Sequence, residues 1–404
     1  MFNRLVIRKA NMKDLDQIEE LAKMAYSGLT SLPKDRRMLE RRLNQSERSF
    51  EKKVITTPNN ELYLFVMEDV VLSKVVGICG IVGSIGCDDL FYTYNLQKIK
   101  KESWTLNSEK ELEILRLERT MNGPSEIGTL FLRPEYRQKN VGRFLSLSRF
   151  LFMAEHQDRF KKQVIAEMRG VIDQDGRCPF WDHVGTHFFD MDFEQADILS
   201  AEDKSFIAEL MPKYPIYVNL LPDKIKNIIG KAHKHTLPAL KILQREGFRL
   251  TNSVDIFDGG PKIVAEVNQL RTVANSRLAK VKSFSKQDIR SKLFLVSHGE
   301  LKDFRVCCTH LEQESHNEVI IPNHLDRLEC SPKETVRYIT LEPIERENQY
   351  RRHSLEKLSG SMELNVKLSS SYLEDNKSTS VSFLRRFSDW YKTTSITKDK
   401  TQSK

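Results

Sequence analysis

The sequence predicts an α+β fold: a mixed central sheet flanked by helices over residues 1–275, a small β-rich C-terminal domain over 276–344, and a basic tail over 345–404. Three observations carry that prediction. Runs of strand length alternate with segments of helical spacing through the first two thirds of the chain. Beyond about residue 275 only short β-like runs recur, at the spacing of a small antiparallel domain such as a barrel. After Glu345 the chain turns rich in Ser, Thr and Lys, which buries too little apolar surface to offset the entropy of ordering and so favours disorder.

Residues 5–8 read as a strand. Residues 12–24 set Leu15, Ile18, Leu21 and Ala22 at helical spacing, with Asp14, Asp16, Glu19 and Glu20 on other faces, the pattern of an amphipathic helix. The turn-rich YSGLTSLP (26–33) separates it from a charged helix at 36–50. Residues 61–68 and 75–85, dense in Val, Ile, Leu and Tyr, form a hairpin pattern. Residues 88–107 are mixed and assign no element. Strands follow at 111–118 and 127–132, joined by the turn Asn122-Gly123-Pro124-Ser125, then an apolar helix at 141–155, a strand at 164–172 and helical segments within 206–229. A helix at 237–246 stops at Gly247, a residue suited to the left-handed conformation after helix ends, and 248–257 returns to strand character. The C-terminal runs are 293–297, 304–309, 318–321 and 335–341. In the tail, 381–391 (VSFLRRFSDWY) has the spacing of a basic amphipathic helix that either touches a partner or membrane or lies solvated.

The 39% hydrophobic and 30% charged residues are those of a globular protein in water, and no apolar run approaches the roughly 20 residues that span a bilayer. Arg4, Arg8 and Lys9 interrupt the first apolar stretches, so no secretory signal is expected and a cytoplasmic location follows. The six cysteines have neither scaffold density nor C-x-x-C pairing, which predicts reduced, mostly buried thiols. A net charge of +8 suits nucleic acid, a membrane surface or an anionic small ligand. Residues Pro343–Lys404 hold twelve Lys and Arg against eight Asp and Glu, half of that excess, so the basicity is largely a tail property and nucleic acid is not the expected partner.

The run GTLFLRPEYRQKNVGRFLSLSRFLFM (128–153) reads as strand, Pro-containing turn, basic loop and helix. Such a loop delivers first-turn N–H groups, which have no intrahelical partner, to the positive end of a helix dipole, and that is an anion site suited to a pyrophosphate. Arg137, Lys139 and Arg143 add charge, and Asn140 tolerates the left-handed backbone that such loops need. His183 and His187 have an i, i+4 ligand spacing, but Val184 stands where a zinc protease motif has glutamate, so no metal is expected. Cys79 and Cys178 are either acyl-carrying nucleophiles or packed thiols. Glu167, Arg169 and Asp173 share parity on the expected strand and would line one face of a cleft, where they would meet a substrate or pair among themselves.

The loop resembles that of the GNAT acyltransferases, whose R/Q-x-x-G-x-G/A pattern is met by Arg137, Asn140 and Gly142, with Asn140 in the first glycine place. Further blocks resemble bacterial arginine N-succinyltransferases in family order: GLTSLP (28–33), VVGICGI (75–81), TLFLRPEYR (129–137), SRFLFMAE (148–155), VIAEMRGVID (164–173), PFWDHVGTHFFDMDF (179–193), FIAELMPKYPIY (206–217) and EGFRLTNSVDIFDGGP (246–261). The likeness is strong to about residue 285 and weak over 286–342. It implies a GNAT-like fold and direct transfer of succinyl from succinyl-CoA to the α-amino group of L-arginine, in arginine catabolism, without a metal. It also implies cofactor contacts from Leu130, Arg137, Asn140, Val141, Gly142 and Arg143, a homo-oligomer, and His233, within IIGKAHKHTLPA, as the proton donor. His235 stands two residues away as a rival. The chemistry fits, because an amine attacks a thioester only when unprotonated and the departing thiolate takes a proton near neutrality. Ornithine as acceptor, another acyl donor, and a non-catalytic binding role on the same scaffold remain open at this level.

Overall fold

In a computed structural model of the chain, described at residues 2–25, 29–138, 140–202, 205–286, 289, 291–323 and 326–342, sixteen strands join one mixed sheet. The expected tail over 345–404 with its segment 381–391, and also Lys139 and Gly28, lie outside the described residues. In chain order the strands are β1 Leu5–Lys9, β2 Leu62–Asp69, β3 Lys74–Val82, β4 Phe91–Ser103, β5 Ser108–Thr120, β6 Ser125–Leu132, β7 Gln163–Glu167, β8 Ile216–Tyr217, β9 Arg249–Val254, β10 Pro261–Glu266, β11 Arg277–Ser285, β12 Leu293–His298, β13 Arg305–His310, β14 Glu312–Gln313, β15 Glu318–Pro322 and β16 Thr335–Thr340. Across the sheet they run β14-β15-β11-β16-β12-β13-β1-β2-β3-β6-β7-β10-β9-β4-β5-β8. Among the described residues, only β6/β7 and β11/β15 are parallel.

The centre is a three-layer sandwich, and its cause is visible in β2. Every residue from Leu62 to Met67 is buried, so both faces are covered. Leu62, Leu64 and Val66 meet the helices α1 (Leu15–Met24) and α2 (Arg36–Glu51), while Tyr63, Phe65 and Met67 meet α3 (Val141–Glu155). Asp35 starts α2 by accepting the Met38 N–H at 2.9 Å. α3 is buried on nearly all sides between the sheet and the later helices, and its apolar residues accordingly show little one-sided pattern. Short helices α4 (Pro179–His183), α5 (Phe193–Glu202), α6 (Ser205–Leu210) and α7 (Asp223–Lys226) cover a second core around Trp181 and Tyr94, and α8 (Leu237–Glu246) returns to the α3 side.

Four expectations are corrected. The unassigned 88–107 holds β4, half of a long hairpin whose outer end is exposed on both faces and so lacks a one-sided pattern. The strand expected at 164–172 ends at Glu167, where the backbone leaves the sheet, and the one expected at 248–257 ends at Val254. The C-terminal strands are neither a separate barrel nor wholly antiparallel: β11 pairs β15 in parallel, and β13 pairs β1, which extends the main sheet. β1 therefore serves two cores, with Leu5 and Ile7 in the main core and Val6 among Val281, Val319 and Val336.

All six cysteines are unpaired, and four are buried. At the end of α3 His156 packs on Phe152 at 4.7 Å, with its buried Nε2 lacking a hydrogen-bond partner. Burial holds its pKa below the ordinary histidine value. The folded state thus favours the neutral ring, so this contribution to stability is complete above the unfolded pKa, about 6.5, and is lost as pH falls from there through the lowered folded value. His156→Leu keeps the apolar contact and removes the titration. Its melting temperature relative to wild type should climb as pH drops from 7.5 to 5.5, and a flat difference would refute the assignment.

Candidate active site

The parallel strands β6 and β7 pair only at Ser125 with Val164 and Glu126 with Ile165. Beyond that they part, β6 continuing along β3 and β7 along β10. The wedge opens into a cavity of about 1090 Å³ walled by Gly128 to Leu132 on one side and Ala166 to Arg169 on the other. A strand edge without a neighbour offers its backbone groups to an extended ligand that carries amides of its own.

A bulge marks the same place. The β3/β6 register slips between Ile78 and Gly80, so Cys79 alone stands opposite Thr129 and Leu130. Thr129 has φ 54°, a left-handed conformation rare for a β-branched residue. Ser31 holds it there: the Thr129 N–H donates to Ser31 Oγ at 3.0 Å and the Thr129 hydroxyl to the Ser31 carbonyl at 3.2 Å. Leu130 lines the cavity and also packs on the main core.

At the end of β6 the chain turns through Pro134–Tyr136 and enters α3 by way of Asn140, which adopts φ 69° as expected from its place in the loop. The first i to i−4 bond of α3 runs from the Phe144 N–H to the Asn140 carbonyl, leaving the N–H groups of Gly142 and Arg143 ahead of it. A Cβ on Gly142 would meet nothing within 4 Å, so this first turn faces open space. The Val141 side chain points into the core, which leaves only its backbone for the site. Arg137 donates from Nε to the Leu132 carbonyl at 3.0 Å and lies 5.5 Å over the Phe131 ring. Arg143 is buried; its Nε and Nη2 make no hydrogen bond, and Nη2 is 3.9 Å from Glu246, which Arg271 already engages at 2.9 Å. Burial pushes the Arg143 guanidinium below the usual arginine range. A buried cation with unmet donors, beside the first turn of α3, fits a pyrophosphate.

His233 is buried beside the far wall, and its N–H donates to the Arg169 carbonyl at 2.8 Å. Its Nδ1 accepts the His235 N–H at 3.2 Å, so the neutral ring carries its proton on Nε2. Burial first, then the charges of Arg169, His235 and Lys234, lower its pKa and keep it neutral at physiological pH. His235 is exposed, stands edge-on at 4.8 Å, and lines the cavity, which His233 does not.

Glu167 and Arg169 reach the cavity, but Asp173 does not. With β7 ending at Glu167 the shared parity stops there, and Asp173 is exposed in a turn where its Oδ1 accepts the N–H groups of Asp175 and Arg177. Sequence reasoning missed two carboxylates that do line the wall, Asp255 and Asp258. Asp255 Oδ1 accepts the N–H groups of Phe257 and Asp258, and Asp258 accepts those of Gly170 at 2.7 Å and Gly260 at 2.8 Å. A Cβ at Gly260 would lie 2.1 Å from the Met168 carbonyl, so only glycine admits this approach. The signal was the D-x-x-D-G-G run at 255–260. Burial, with Asp255 adding to it, raises the Asp258 pKa.

The remaining candidates take packing roles. His183 closes α4 with Nδ1 2.9 Å from the Pro179 carbonyl, and His187 lies in the following 3-10 turn. Burial drives the Cys79 thiol up to about 11 and that of Cys178 higher still, so neither is activated as a nucleophile.

The model of a family described as arginine N-succinyltransferase beta subunit matches residues 5–272, and that of its C-terminal domain matches 277–340. An arginine N-succinyltransferase of Enterobacter sp. (strain 638) is 40% identical over 344 residues, 85% of this chain and 99% of that protein. One from Escherichia coli O6:K15:H31 is 38% identical over 339 residues, 83% and 98% of the two chains. The solved structure of arginine/ornithine succinyltransferase subunit AI from Pseudomonas aeruginosa superposes with a TM-score of 0.77 at 33% identity, covering 84% of this chain and 99% of that one.

Proposed function

The chain belongs to the arginine N-succinyltransferase family, and on that premise we propose how its site moves succinyl from succinyl-CoA to the α-amino group of L-arginine, a step of arginine catabolism. The observation that carries the reading is the β6/β7 wedge opening onto the N-terminus of α3. Gly142 and Arg143 would hold the pyrophosphate through backbone N–H groups and the Arg143 guanidinium, with Arg137 and Asn140 shaping the loop, Val141 contributing backbone, and Leu130 presenting strand backbone to the pantetheine.

The amine nitrogen then attacks the thioester carbonyl, the C–N bond forms, the C–S bond breaks, and the CoA thiolate takes a proton. His233 gives its Nε2 proton to the sulfur while the ring takes up the proton that the attacking nitrogen sheds, so the ring ends neutral as it began. His235 is the second reading, favoured by its place in the cavity wall. Asp255 and Glu167 give the acceptor side a negative character suited to a guanidinium, or to the side-chain amine of ornithine.

Purified protein with succinyl-CoA and arginine should release free thiol, and faster than with acetyl-CoA or with ornithine. Absence of thiol under every pairing sinks the transferase reading. We also expect a cytoplasmic homo-oligomer. The exposed tip of the β4/β5 hairpin, with Trp104 and Leu106, supports the assembly, and light scattering on the eluted protein tests it. No helix among the described residues is long and apolar enough to cross a membrane.

A further inference from the structure

Succinyl-CoA differs from acetyl-CoA by a terminal carboxylate, and the pyrophosphate loop, at the other end of the molecule, is blind to it. α2 presents Arg41, Arg42 and Gln45 to the cavity. Arg42 Nη2 donates to Thr129 Oγ1 at 3.5 Å, a long and weak tether. Thr129 is the bulge residue of β6, three positions before Leu132 and so roughly 10 Å back along the strand from the loop. A thioester whose pyrophosphate sits at α3 and whose pantetheine follows β6 points its acyl end toward that bulge.

Two other guanidiniums of the cavity are engaged, Arg149, fully buried and bonded to Ser146 and the Gly128 carbonyl, and Arg137, bonded to the Leu132 carbonyl, while Arg143 stands at the α3 end, the place given to the pyrophosphate, and Arg41 is exposed. Arg42 is half-buried, with Glu126 the carboxylate whose charge reaches it. Guanidinium keeps its charge at neutral pH and offers a fork that matches a carboxylate.

We infer that Arg42 is the residue that selects the acyl group: its guanidinium pairs the terminal carboxylate of succinyl-CoA and so favours succinyl over acetyl donors. This rests on the succinyl-transfer reading above. The acceptor also carries a carboxylate, so the experiment separates the two sources. Wild type, Arg42→Gln and Arg42→Lys are titrated calorimetrically with succinyl-CoA and with acetyl-CoA, and KM is measured for each donor and for arginine.

Arg42→Gln should lose roughly 10- to 100-fold in succinyl-CoA affinity, and with it the preference over acetyl-CoA, through KM more than kcat; Arg42→Lys should recover part of that preference. Equal loss for both donors overturns the inference, as does a wild type that binds them equally. A rise confined to the KM for arginine also overturns it, by assigning Arg42 to the acceptor's carboxylate. A wild type that binds succinyl-CoA through Arg42 yet releases no thiol with any amine upholds Arg42 and defeats the transferase reading instead.

Discussion

Replacing His233 by alanine is expected to lower kcat by about 10²- to 10⁴-fold, the usual share of a positioned proton donor, while the affinity for succinyl-CoA holds within a few-fold. Its backbone N–H donates to the Arg169 carbonyl and its ring accepts the His235 N–H, and neither bond involves the α3 loop proposed to hold the pyrophosphate. Its lowered pKa also fixes the sign of the pH response. A step that needs the neutral ring persists below the ordinary histidine value and fails only as acid charges His233. His235→Ala is the necessary companion. If that variant loses turnover while His233→Ala keeps it, the proton donor moves two residues along the chain.

Gly142→Asp should separate stability from binding. No atom lies within 4 Å of the added Cβ, so the fold accepts it, and a carboxylate in the first turn of α3 favours the helix dipole. The same carboxylate occupies the place proposed for the pyrophosphate and repels it. The expected result is an unchanged or slightly raised melting temperature together with a roughly 100-fold loss in CoA affinity, about 2.7 kcal/mol. If CoA binding survives, the pyrophosphate does not sit at this turn.

Some of this site is legible in the sequence, and the reason is local. The loop from Arg137 to Arg143 works through backbone N–H groups and one left-handed residue, and Asn140 followed by a helical pattern announces both. The wedge is less legible. Its opening depends on where β7 leaves β6, and the run from Val164 to Ile172 gives no sign that this pairing stops at Ile165 or that the strand ends at Glu167. Past that end the chain is held by the 255–260 loop, whose Asp258 takes the Gly170 N–H, a contact spanning 88 residues. Arg42 is hidden for a similar reason. In a helix that reads RRMLERRLNQ, one arginine looks like its neighbours until the fold brings Thr129 beside it. Histidine poses the opposite difficulty: His233 and His235 are both conspicuous, and only the fold sets them apart, burying the first and placing the second in the cavity wall.

The shared strand β1 also has a history in time. Its Val6 pairs Cys307, so about 300 residues must be made before that edge is covered. At the usual pace of translation, some 5–20 residues per second, the gap is roughly 15–60 s. For that interval the nascent chain carries a bare strand edge and an uncovered valine, a template for mispairing with another chain. The ribosome's own speed, and whatever shelters β1 at the tunnel exit, therefore bear on how much of this protein reaches its finished sheet.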